Sequence, residues 1–107
     1  MEVLDIVQRE AFSHGASAVT RVRLRIGDLS GVETDSLTFS FDTVKVEQPL
    51  TARAELVIEK IPVRVRCRPC NDEFTARGPL VICPSCGGFE TSLLEGEELE
   101  IVDIEIE

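Results

Sequence analysis

The sequence predicts an α+β protein: two helices on a small three-stranded mixed sheet, with an inserted zinc-ribbon-like domain. Three observations carry this. An apolar stripe at helical spacing opens the chain, with a second candidate helix at 34–46. Clean alternation of apolar and polar residues recurs at 19–26, 55–59 and 99–107. All four cysteines fall in two Cys-x-x-Cys pairs, Cys67/Cys70 and Cys83/Cys86, with twelve residues between them. The expected division puts 1–62 with 96–107 in one α/β domain and 63–95 in the metal-binding domain.

Taken in order, 1–14 reads as an amphipathic helix. Val3 (or Leu4), Val7 and Ala11 repeat at helical spacing, while Glu2, Asp5, Gln8, Arg9 and Glu10 lie largely on other faces. His14 sits in the last turn, and Gly15 follows as a left-handed cap. No capping residue precedes Met1, and this abrupt start predicts a segment upstream.

At 19–26, Val22, Leu24 and Ile26 face one way and Arg21, Arg23 and Arg25 the other, the pattern of a half-buried strand. In so acidic a chain, the arginine face reads as a solvated or salt-bridged sheet surface rather than a nucleic-acid strip. Turn residues 27–31 end the strand.

Segment 34–46 fits two patterns. Leu37, Phe39 and Phe41 alternate as in a strand, whereas Leu37, Phe41 and Val44 keep helical spacing, and Thr34 or Asp35 suits a cap. Topology favours helix, because it lets the next strand return parallel to the first through a crossover. The runs 55–59 and 63–66 alternate again and lead into Cys67. Pro62 between them predicts a bend or an edge position. In the last strand Val102, Ile104 and Ile106 oppose Asp103, Glu105 and Glu107.

Composition narrows the partners. A net charge of −9 argues against nucleic acid, whose binding rests on neutralising phosphates. The absence of Trp and Tyr leaves few stacking platforms. No stretch is long and apolar enough for a membrane helix and no secretory pattern opens the chain, so the expected location is cytoplasmic. The charge is uneven: Glu90, Glu95, Glu97, Glu98, Glu100, Asp103, Glu105 and Glu107 close the chain with no base among them. Lys60, Arg64, Arg66, Arg68 and Arg77 surround the cysteines against only Asp72 and Glu73.

Two Cys-x-x-Cys turns aim four sulfurs at one point, and Cys67, Cys70, Cys83 and Cys86 are the expected ligands of Zn²⁺ or of a rubredoxin-like iron. Pro84 pre-sets a turn dihedral, and Gly87 and Gly88 permit positive φ after the last ligand. Disulfides do not fit a reducing compartment. A thioredoxin-like motif does not fit Pro69 and Pro84 inside the pairs with no helix following. A four-thiolate site is closed, so it explains a fold and not a reaction. The one histidine, His14, reads as a helix-end residue, and Gly27-x-x-x-Gly31 lacks the lysine of a phosphate loop. An enzyme is not expected.

Several stretches together resemble the HypA/HybF family of hydrogenase-maturation nickel chaperones. They are His14-Gly15-Ala16, the run from Val22 to Val32, Leu37-Thr38-Phe39-Ser40-Phe41-Asp42, Leu56-Val57-Ile58-Glu59, and the four cysteines at their spacing. The resemblance implies a nickel metallochaperone that delivers Ni²⁺ to the precursor of the [NiFe]-hydrogenase large subunit with a GTPase partner, some relatives also serving urease. It implies structural zinc on Cys67, Cys70, Cys83 and Cys86, and neither nucleic acid nor membrane as partner. Members of this family open with Met-His-Glu, whose histidine and neighbouring backbone nitrogens make the nickel site. This chain opens Met1-Glu2-Val3, so that site is expected upstream of Met1. Two other readings stand beside it: a zinc-ribbon module binding protein or nucleic acid, and an iron-loaded electron carrier.

Overall fold

A computed structural model describes residues 1–76 and 81–107 of the chain. The first helix, α1 (Glu2–Ser13), buries Leu4, Val7 and Ala11, the stripe its apolar spacing predicts, with Leu4 the buried member of the Val3/Leu4 alternative. Its end is a Schellman motif. Gly15 takes φ +69°, its N–H bonds the Phe12 carbonyl at 3.1 Å, and the Ala16 N–H reaches back to the Ala11 carbonyl at 3.0 Å. At the other end Met1 occupies the cap position without a side-chain hydrogen bond.

Strand β1 (Val19–Gly27) alternates as expected, with Val22, Leu24 and Ile26 buried. Helix α2 (Thr34–Val44) settles the ambiguous segment and runs into a short 3₁₀ turn at Lys45–Glu47. Phe41 is fully buried while Phe39 is 73% exposed, which helical spacing requires and strand alternation forbids. The cap differs from expectation. Glu33, one residue before Thr34, accepts the Asp35 N–H at 2.9 Å, because the longer side chain reaches the first turn.

Among the described residues six strands form where about three were expected. β1, β2 (Glu55–Ile61) and β6 (Leu99–Ile106) make one sheet in the order β2-β1-β6. Ion pairs read out its directions. Arg21 with Glu55 and Arg25 with Glu59 advance together, so β1 and β2 are parallel and α2 is their crossover. Arg21 with Glu105 and Arg25 with Glu100 advance oppositely, so β6 is antiparallel and the sheet is mixed.

The runs read as one strand, 55–59 and 63–66, belong to different sheets. Pro62 donates no backbone hydrogen bond, and the chain leaves the first sheet there. β3 (Arg64–Cys67) pairs antiparallel with β4 (Glu73–Thr75) on one side and β5 (Thr91–Glu95) on the other. The last strand also departs from strict alternation: Ile101 and Ile104 are half-buried, whereas Val102 and Ile106 are 45% and 41% exposed.

The chain divides into two compact units. One comprises Met1–Arg25, Val32–Glu59 and Glu100–Glu107, and the other Ile26–Gly31 and Lys60–Leu99. In the first, Leu4, Val7, Ala11, Val19, Val22, Leu24, Phe41 and Ala54 form the core. Its buried hydroxyl, on Thr51, donates to the Lys45 carbonyl at 2.8 Å. The second packs Ile26, Ile61, Val65, Cys67 and Cys83.

Candidate metal centre

Two turns of one design make the centre. In the first, the Asn71 N–H bonds the Cys67 carbonyl at 2.8 Å and the Cys67 N–H bonds the Asp72 carbonyl at 2.8 Å. In the second, the Gly87 N–H bonds the Cys83 carbonyl at 2.9 Å and the Cys83 N–H bonds the Gly88 carbonyl at 2.8 Å. The residue after each outer cysteine turns left-handed, Asn71 at φ 64° and Gly87 at φ 72°. Glycine takes that conformation freely and asparagine tolerates it better than most side chains. Gly88 does not use positive φ, contrary to the sequence reading. It is small for another reason: a Cβ there would lie 3.2 Å from the Cys86 Sγ and 3.7 Å from the Cys67 Sγ. Its N–H also donates to the Cys86 Sγ at 3.4 Å.

The strands bring the two turns together. β3 ends in Cys67, and β5 begins at Thr91, directly opposite Cys67 in the register. The Arg68 N–H bonds the Glu90 carbonyl at 2.9 Å, tying the first turn to the chain leaving the second. As a result the Sγ atoms of Cys67, Cys70, Cys83 and Cys86 all lie within 4.8 Å of one another. Two of the pairs, Cys67 with Cys86 and Cys70 with Cys83, are 3.5 Å apart. A disulfide holds its sulfurs about 2.05 Å apart, and all four thiols are free. A tetrahedral metal about 2.3 Å from each thiolate needs sulfurs about 3.8 Å apart, so the donor set fits such an ion. Among the described residues this is the one group of three or more His, Cys, Asp or Glu side chains able to share a metal.

Without a metal, four sulfurs this close cannot all carry charge. The Cys70 N–H favours the Cys67 thiolate, but burial and the three neighbouring sulfurs outweigh it and push that thiol up to about 12. Cys70 is favoured as a thiolate by the Asp72 N–H, yet burial and the Cys83 sulfur raise it overall. Cys83 goes the other way, brought down to about 7 by the Cys86 N–H, against desolvation and with help from the Ser85 N–H. A bound cation removes the conflict by neutralising all four sulfurs together.

The surrounding cations are largely committed. Glu73 pairs with Arg66 at 2.6 Å and with Arg64 at 4.0 Å, and the Arg68 Nε donates to the Ser92 Oγ at 3.0 Å. Lys60 is exposed, and Arg77 lies outside the described residues. Arg21, Arg23 and Arg25 are each paired with carboxylates, as the salt-bridged reading of that face requires. His14 stands exposed at the end of α1, its Nδ1 2.8 Å from the Glu10 carbonyl. The sequence reading missed β4, β5 and the matched role of Asn71. Its signal was available, since Asn71 follows Cys70 as Gly87 follows Cys86.

Comparison with known proteins gives one answer. A family model described as hydrogenase/urease nickel incorporation, metallochaperone, hypA, matches residues 1–106. A protein of Streptomyces avermitilis named hydrogenase maturation factor HypA is 42% identical over 106 residues, covering 97% of this chain and 80% of that protein. One of the same name from Geobacter metallireducens is 39% identical over 105 residues, covering 98% and 92%. The solution structure of the Ni metallochaperone HypA from Helicobacter pylori superposes with a TM-score of 0.64 at 21% identity, covering 98% of this chain and 91% of that one. At that identity the likeness speaks for the fold alone. Among the described residues, no helix is long and apolar enough to cross a membrane.

Proposed function

The chain belongs to the HypA family of hydrogenase/urease nickel-incorporation metallochaperones, and we propose that it delivers Ni²⁺ to the precursor of a [NiFe]-hydrogenase large subunit. A GTPase of the same maturation pathway works with it, and urease maturation is a second destination open to it. Zinc, held by Cys67, Cys70, Cys83 and Cys86, has a structural role. The observation that carries this division of labour is the closed four-thiolate cluster inside a chain matched to the family over residues 1–106. With every coordination position taken by the protein, the metal there neither activates water nor leaves readily, so it is neither catalyst nor cargo. Cargo needs ligands that bind selectively and release. Nitrogen and oxygen donors in a square-planar set do this for Ni²⁺, and the proposal gives that task to donors other than the four cysteines, of the kind offered by the Met-His-Glu with which members of this family open.

The test is a Ni²⁺ titration of the zinc-loaded chain beside a version lengthened upstream to include a Met-His-Glu opening, with zinc content followed throughout. One tight nickel in the extended protein, and zinc retained on the cysteines, supports the proposal. Nickel bound by neither, or nickel displacing zinc from the cysteines, overturns it.

A further inference from the structure

We infer that the free edge of β6 is a docking site for an extended peptide segment of alternating apolar and basic residues, added as a fourth strand. Among the described residues β6 has β1 on one side and no strand on the other. Its 8 residues therefore present a row of backbone donors and acceptors to a partner. Beside that edge, between β6 and α1, runs a groove of about 420 Å³ lined mainly by apolar side chains, Ile6, Ala11, Val102, Ile104 and Ile106 among them, with Glu10, His14 and Asp103 as its polar members. Val102 and Ile106 are 45% and 41% exposed there, so one face of an added strand would find apolar side chains to cover.

Charge identifies the occupant. Across β2-β1-β6 the signs alternate strand by strand: Glu55 and Glu59 on β2, Arg21, Arg23 and Arg25 on β1, then Glu100, Asp103 and Glu105 on β6. Five carboxylates share three guanidiniums, and Glu10 adds another carboxylate at the rim of the groove. The next strand in this series is basic. A second copy of β6 would set carboxylates beside carboxylates, which is unfavourable across a strand pair, so self-pairing is not the use of this edge.

The experiment uses the zinc-loaded chain and a fluorescent peptide alternating valine and lysine, matched to the 8 residues of β6. Controls are a valine–glutamate peptide and a valine–lysine peptide with a central proline, which keeps charge but cannot form a full strand. Expected are saturable binding of the first peptide alone, slowed amide exchange confined to β6, and loss of affinity as salt is raised. Ile106→Lys is expected to weaken binding about tenfold by placing a like charge in the groove, and Val102→Lys, at another exposed position, is the second variant. Equal binding of all three peptides, protection that falls outside β6, affinity unchanged by both lysine variants, or a dimer formed through β6 would each overturn the inference.

Discussion

A methyl group added to Gly27 would lie 2.1 Å from the carbonyl oxygen of Gly96. The two backbones meet because the turn after β1 hydrogen-bonds into the segment before β6. The Leu29 N–H donates to Gly96 O and the Gly27 N–H to Glu98 O, both at 2.7 Å. Gly96 itself takes φ +129° and sits against Val63, whose Cα would be 3.1 Å from a Cβ there. Side chains are excluded at both positions for different reasons, one steric and one conformational.

Gly27→Ala is therefore expected to destabilise the fold by about 1–3 kcal/mol, the usual cost of forcing atoms into a filled space. Gly96→Ala is expected to do the same through its positive φ. Denaturant unfolding of the zinc-loaded variants measures both, and an unchanged midpoint for Gly27→Ala would mean that the close approach does not exist.

In the turns of the metal centre the expected pattern is opposite in sign at two steps. Asn71→Gly relieves a left-handed side-chain residue and is expected to leave zinc affinity unchanged or slightly raised. Asn71→Val, branched at Cβ, is expected to lower it, as is Gly87→Val at φ 72°. Competition against a chromophoric chelator gives the three values in one experiment. Equal affinities for Asn71→Val and the parent would sink the matched-turn account.

The metal itself should decide whether β3, β4 and β5 form. The short strands of that sheet bury only Val65 and Cys67 below a tenth of their surface, too little apolar area to stand alone. Chelation is expected to erase slow-exchanging amides from β3–β5 while those of α1 and α2 persist, as is replacement of any one cysteine by serine. Hydrogen exchange followed by NMR checks this.

How much of this was legible beforehand depended on where the physics is local. Helix α1, strand β1 and the cysteine cluster follow from spacing and caps that act within a few residues, and all three are present. Segment 34–46 carried two periods at once, and only the burial of Phe41 against the exposure of Phe39 separates them. β4 and β5 were invisible because Glu73–Thr75 and Thr91–Glu95 are too short to show a period. They are strands because the turns at Cys70 and Cys86 place them beside β3 and leave their backbone groups no better partner. The Gly27–Gly96 approach joins residues far apart in the chain, and nothing local announces it.

The arginine ladder is prominent in the sequence but is expected to contribute little to stability. Arg21, Arg23 and Arg25 keep 35–48% of their side-chain surface exposed, and their carboxylate partners 43–65%. Pairs so solvated contribute about 0–1 kcal/mol and are screened by salt. Arg23→Gln should thus cost under about 1 kcal/mol, whereas Phe41→Ala, emptying a fully buried site, should cost about 3–5 kcal/mol. A reversed order in denaturant unfolding would show that the charged face, not the apolar one, holds this sheet.

Metal affinity is expected to rise steeply with pH, and the sign follows from the metal-free thiols. Cys67, pushed up to about 12, and Cys70, also raised, both hold protons at neutral pH, whereas Cys83, near 7, has lost part of its own. A divalent ion binds the thiolates, so it must expel the protons of Cys67 and Cys70 and the remainder from Cys83. At least two protons released means affinity gains at least about a hundredfold per pH unit between pH 6 and 8, with more below 7, where Cys83 contributes as well. The metal-supported fold is accordingly stable above this range and lost as pH falls through it. Calorimetry of zinc binding in buffers of different ionisation enthalpy counts the protons directly. Two or more released at pH 7 is the expected result, and fewer than one would mean that the four sulfurs are already ionised and held apart by something other than the metal.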